Sequence, residues 1–226
     1  MKNILSPDSA LMKGFSLMGD IMLLNVLFIV CSLPVLTIGA SASALYTVTL
    51  RLAEGDDRGI LKPFFKAFRC NFRMATGEWL VLLAAILLEY FGISILTQFP
   101  DRFPFPVGSV YLLVCLAILL VGSWIFAVQV KFENTLFGCF RDAFLIGMIH
   151  PAKSLCIMVL TALFPAIVLF FPQLFLITLL AWLLFGFSGI ALLNSKMMNR
   201  AFEKVIREKG GSKGTETEQE HTTGGE

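Results

Sequence analysis

Glu89 is the one ionisable residue well inside an apolar stretch of this chain, so it is the first candidate for chemistry. A carboxylate at the centre of a bilayer costs on the order of 3 kcal/mol on insertion scales, and such groups face a bundle interior or water. There it could bind a proton or a substrate. A second set is Asn25 with Pro34, Thr37 and Gly39, in an apolar run broken by Ser32-Leu33-Pro34-Val35-Leu36-Thr37-Ile38-Gly39. A Gly/Pro-interrupted membrane helix exposes backbone groups that can hold a solute. Each candidate has a structural reading beside the functional one. Glu89 lies beyond the middle of its apolar run, where a hydrogen-bonded structural carboxyl would also sit. Asn25, Gln129 and Asn194 suit interhelical hydrogen bonds, and the small-residue run from Gly39 to Ala44 suits close helix packing.

Signatures of catalysis are missing. His150 has no second His, Cys or carboxylate at metal-ligand spacing, and GxSxG, Walker and GxGxxG patterns do not occur. Cys31, Cys70, Cys115, Cys139 and Cys156 form no CxxC pair and read as small buried hydrophobes rather than a disulfide framework. The sequence thus predicts a non-enzymatic protein with no metal and no cofactor. The formal net charge of +2 gives no reason to expect nucleic-acid binding.

The elements that must position these residues follow from hydropathy. Hydrophobic residues make up 57% of the chain and charged ones 15%, with mean hydropathy +0.80. That leaves too little polar material for the shell of a soluble domain, so lipid must solvate much of the surface. Residues 21–50, 103–130 and 154–195 hold no charge, and 79–100 holds only Glu89. About 20 helical residues cross a bilayer core of roughly 30 Å. The expected fold is all-α: a polytopic transmembrane bundle of five or six membrane helices, at about 17–36, 40–52, 77–97, 107–130, 155–171 and 174–194. The whole forms one membrane domain over 1–200, followed by a helix end at 201–209. Residues 210–226 contain no apolar side chain and read as a disordered tail. The first apolar run starts near Leu17 without a strongly basic leader and is too long for a signal peptide, so no cleavable leader is expected.

Basic residues set the expected orientation. Of the 18 lysines and arginines, 15 fall in alternate connections at 51–73, 131–153 and 196–213; the proline-rich loop at 99–106 holds only Arg102. The positive-inside rule puts the three basic segments and the C-terminus in the cytoplasm. The first apolar run allows two readings: one kinked, tilted span, or a helical hairpin turning between Pro34 and Gly39. The hairpin is preferred because it also brings Lys2 and Lys13 inside.

Two basic–aromatic segments read as cytoplasmic interfacial amphipathic helices. In the first, Leu61, Phe65, Phe68 and Phe72 share a face, and Lys62, Lys66, Arg69 and Arg73 form a second stripe. Its motif Phe65-x-x-Phe68-Arg69-x-x-Phe72 recurs as Phe137-x-x-Phe140-Arg141-x-x-Phe144. Phenylalanines can enter the acyl boundary while cations meet anionic headgroups, or the same face can dock a cytoplasmic partner.

The pattern Leu24-Asn25, Ser32-Leu33-Pro34-Val35-Leu36-Thr37-Ile38-Gly39-Ala40, Ala44-Leu45-Tyr46 and Phe65-x-x-Phe68-Arg69-x-Asn71-Phe72 resembles the YesL-like family of bacterial membrane proteins. The similarity is sharpest from about Gly14 to Thr76; later spans fit in number and spacing. The resemblance implies a multi-pass protein of a Gram-positive-type bacterial plasma membrane. Members are often encoded beside sugar uptake systems and polysaccharide-degrading enzymes, which implies a role in carbohydrate uptake or utilisation but assigns no catalytic residues. The leading expectation is therefore an accessory component of carbohydrate uptake whose partners are the lipid bilayer and a sugar ABC-transporter permease. The alternative is a small transporter or channel using the Pro34–Gly39 break, Asn25 and Glu89. Oligomeric state is not legible in the sequence.

Overall fold

A computed structural model describes residues 10–56, 59–98, 105–132, 134–170, 179–180 and 182–203. The proline-rich loop, the turn expected at 171–173 and the tail at 210–226 lie outside them, except Phe105 and Pro106, which begin a helix. The chain is an all-α bundle, and no strand occurs among the described residues. Helix α1 spans Ala10–Ser32, α2 Ile38–Ala53, α3 Leu61–Gln98, α4 Phe105–Lys131, α5 Leu136–Ile149 and α6 Pro151–Phe170. A π-helical turn at Trp182–Gly186 leads into α7, residues 187–203. Four helices are long and apolar enough to cross a membrane, or five if the bent pair α5–α6 counts as one span.

Helix α1 stops just before Leu33-Pro34, as expected where proline's ring disfavours helical geometry in the preceding residue. A 3-10 turn at Val35–Thr37 then starts α2. The kinked-span and hairpin readings are now separable. Asn25 of α1 bonds Ser188, and Thr49 of α2 bonds Ser195, both on α7. Those two α7 positions are about 10 Å apart, whereas one continuous helix would hold residues 25 and 49 about 36 Å apart. Residues 10–53 are therefore a hairpin.

Helix α2 is the centre of the bundle, buried from Gly39 to Leu45 and again at Val48, Thr49 and Leu50. It lies antiparallel on α3 in a constant register. Trp79 Nε1 donates to Val35 O (2.8 Å), Gly39 sits on the Ala75 carbonyl, and Asn71 Nδ2 donates to Ser43 Oγ (2.9 Å). Each four-residue step along α2 meets a four-residue step back along α3, as ridge-and-groove packing of i±4 rows requires. A Cβ at Gly39 would lie 2.6 Å from Trp79 Cβ and nearer still to Ala75 O.

Two findings differ from the sequence reading. The basic segment at 61–73 is not a separate surface helix; it forms the first turns of the 38-residue α3, about 57 Å long. Pro63 sits in its first turn, where a missing N–H breaks no bond. The buried stripe of this segment is Phe64, Ala67 and Ala75, not the Phe65/Phe72 stripe, which points out of the bundle. The second basic–aromatic segment is α5, capped by the Thr135 hydroxyl accepting from Gly138 N. It runs back along α4: Cys139 lies near Gln129 through Glu78, and Gly147 lies against Leu120. At Pro151 the chain bends by 107° into α6. Proline cannot continue the α5 ladder because it lacks an N–H and clashes with the preceding turn.

The Gly39 contact yields a stability prediction. Gly39→Ala should destabilise the detergent-solubilised protein by about 1–3 kcal/mol, the usual cost of overpacking. Gly19→Ala, where a methyl meets nothing within 4 Å, should be neutral or stabilising by up to about 1 kcal/mol. Thermal unfolding of both variants checks this; equal stability would show that α2 and α3 are not so close.

Candidate functional site: an outward basic–aromatic face beside a locked hairpin

The residues proposed from sequence to line a path are dispersed. Asn25 uses its whole amide on the π turn: Nδ2 donates to Trp182 O (3.1 Å) and Leu183 O (2.6 Å), and Oδ1 accepts from Ser188 N (3.0 Å). A π turn interrupts the α-helical ladder and frees such backbone groups, and Asn25 satisfies them from the neighbouring helix. At the hairpin tip the Thr37 hydroxyl lies 2.6 Å from Cys31 O and 2.8 Å from Pro34 O, while the Trp79 indole takes Val35 O. The carbonyls freed at Pro34 thus have donors of the protein's own. Gly39 has no room beside it. Glu89 lies 14 residues beyond Ala75 on α3, about 21 Å along the helix from the Gly39 contact. It is half-buried, its Oε2 has no hydrogen-bond partner, and its neighbours Leu88 and Tyr90 point out of the bundle. The structure does not bring Glu89 together with Asn25 or the Pro34–Gly39 turn.

The first turns of α3 do bring candidates together. Leu61, Lys62, Phe65, Lys66, Arg69 and Cys70 line a cleft of about 480 Å³. Lys62, Lys66, Arg69 and Arg73 are exposed and have no ion-pair partner among the described residues. Phe65 and Phe72 stand out between them, 43% and 39% exposed, while Phe68 leans on Phe64 and Phe72. Three other basic side chains at this end are engaged: Arg51 with Asp56 (3.1 Å), Lys131 with Glu54 (2.7 Å) and Arg141 with Asp142 (3.3 Å). On α5, Phe137 and Phe144 face outward, and Phe140 closes one end of a wholly apolar groove between α3 and α4. The two copies of the sequence motif therefore present different surfaces.

A buried polar cluster lies behind this face, and no motif in the sequence marks it. Glu78 is fully buried at the junction of α3, α4 and α5. The Gln129 amide, turned so that its nitrogen faces the carboxyl, donates to Glu78 Oε2 (3.1 Å) and accepts from Ala75 N (3.3 Å). The Cys139 thiol lies beside the Glu78 carboxyl. Oε1 has no partner, and no group of three metal-ligating side chains exists among the described residues. The signal for burial was positional. Glu78 continues the 64, 67, 71, 75 spacing of the stripe that α3 turns inward. This cluster ties three helices together, because a carboxyl taken out of water needs the donors around it.

Among known protein families, one described as "Protein of unknown function, DUF624" matches residues 21–93. That stretch holds the hairpin from the middle of α1 onward, the α2–α3 contact, the basic–aromatic face and both Glu78 and Glu89. No curated protein and no solved structure matches the chain.

If the cluster holds α5 in place, Cys139 should resist N-ethylmaleimide while the exposed Cys70 reacts. Glu78→Ala leaves the Gln129 amide unpaired, at a cost of about 1–3 kcal/mol, and should expose Cys139 to labelling. Glu78→Gln, which can still pair, should have a smaller effect. Mass-spectrometric labelling rates decide it; a Cys139 as reactive as Cys70 in the unaltered protein would contradict the arrangement.

Proposed function

We propose that this protein is a non-enzymatic accessory component of bacterial carbohydrate uptake, working through the basic–aromatic face of α3. The observation that carries the reading is the contrast between the two candidate sets. Asn25 and Thr37 are already bonded to the protein, Gly39 is packed without space and Glu89 lies apart from them, whereas the α3 cations stand exposed beside aromatics, with no ion pair among the described residues. A surface of that kind recognises something outside the chain. The positive-inside rule favours a cytoplasmic position for it, with the C-terminus on the same side. Interactions within the bundle support that shared end: Lys131 pairs with Glu54, and Asn199 bonds Leu50 O.

The carbohydrate role rests on the YesL-like resemblance, whose members accompany sugar uptake systems. In this reading the bundle resides in the bacterial plasma membrane, and the face engages a sugar-transporter permease. Isolation of the tagged full chain from gently solubilised native membranes should recover a transporter subunit, and deleting the gene should lower sugar uptake. Lys66→Glu with Arg69→Glu should lose the subunit without loss of the protein from the membrane. Recovery without any transporter subunit, together with unchanged uptake in the deletion strain, would overturn the proposal.

A further inference from the structure

The four unpaired cations of α3 form a line, and its direction identifies what it meets. Lys62, Lys66, Arg69 and Arg73 follow one another at spacings of four, three and four, which places them along one side of the helix. Like charges at these spacings repel by a few tenths of a kcal/mol per pair, so an external anion relieves a standing cost. Among the described residues none of the four has an ion pair that would supply the opposing charge.

Lipid headgroups cannot serve the whole line. Helix α3 is continuous from Leu61 to Gln98, and after Arg73 its only charged residues are the buried Glu78 and the half-buried Glu89. For an upright α3, the end of the exposed charges at Arg73 puts the hydrocarbon boundary near residue 74. From there the stripe leads away from the membrane rather than along it. At about 1.5 Å per residue, Arg69 stands roughly 6 Å below Arg73, Lys66 about 10 Å and Lys62 about 16 Å. A headgroup layer is only about 5–7 Å deep, and screening cuts the reach of its charge to about 8–10 Å. Arg73 and Arg69 can meet phosphates; Lys66, Lys62 and the exposed Phe65 between them cannot.

We infer that the projecting turns of α3 dock an acidic helical segment of a partner protein, with its carboxylates paired to Lys62, Lys66 and Arg69 and one apolar side chain seated against Phe65 and Leu61. This rests on the surface reading proposed above and names the chemistry of its partner. Carboxylates at matching four- and three-residue spacing on the partner helix would face the cations in register. The 480 Å³ cleft beside Phe65 has room for an aliphatic side chain.

Photocross-linking in intact cells tests it, with p-benzoylphenylalanine replacing Phe65 in the full chain. The same group at Leu88, which is 73% exposed on the apolar part of α3, should give phospholipid adducts and calibrates detection. The expected result at position 65 is an adduct to another polypeptide whose mapped peptide is acidic. Lys62→Glu, Lys66→Glu and Arg69→Glu together should lower its yield about tenfold or more, as removal of several complementary charges does. A phospholipid adduct at position 65, an adduct within residues 204–226 or to a second copy of this chain, no adduct at all, or yield indifferent to charge reversal would each overturn the inference. An acidic partner unrelated to sugar transport would uphold the docking chemistry while contradicting the carbohydrate role.

Discussion

The seat of Gly39 on the Ala75 carbonyl sets how closely α2 and α3 approach, and the rest of the bundle is arranged around that distance. Lipid tails are as apolar as leucine, so helices in a membrane gain little by hiding hydrocarbon from lipid. They gain by close packing and by polar contacts that find partners. Small residues on α2 allow the first, and Ser43 with Asn71 and Val35 O with Trp79 supply the second. With α2 drawn onto α3, the last turns of α2 take α7 through Thr49–Ser195 and Asn199–Leu50 O. The closure of the hairpin, the position of α7 and the gathering of basic residues at one end all depend on that seat.

Polar side chains do the locking elsewhere too, and each is matched to a backbone defect. Proline at position 34 frees carbonyls that Thr37 and Trp79 take. The π turn at Trp182 frees groups that Asn25 takes. The bend at Pro151 is held by Ser154, whose hydroxyl lies 2.8 Å from Gly147 O and accepts from the buried Trp124 indole. Unsatisfied backbone groups cost several kcal/mol each in lipid, so these pairings keep the breaks rigid. A broken helix is thus not by itself a sign of a solute path.

Much of this fold was legible because hydropathy reports what touches lipid. The uncharged runs located α1, α4 and α6, and Pro34 marked the end of α1. Periodicity failed where a packing face is small or polar instead of greasy. Phe65 and Phe72 looked like the anchoring face of 61–73, yet the face turned inward is Phe64, Ala67 and Ala75, with Asn71 bonded to Ser43. Periodicity also gives no direction in space, so nothing local showed that this segment continues straight into α3 or that α5 returns along α4. The surroundings of Glu78 were hidden for a third reason: Gln129 and Cys139 come from other helices and meet it only on folding.

These features describe a membrane protein whose hairpin is locked and whose basic–aromatic face turns outward, and the proposed accessory role requires that it conduct nothing. Flux in liposomes tests that most directly. The purified full chain, reconstituted and challenged with sugars and with monovalent ions, should move neither faster than protein-free liposomes. Saturable flux that Glu89→Gln alters would contradict the account and restore a solute path through the bundle.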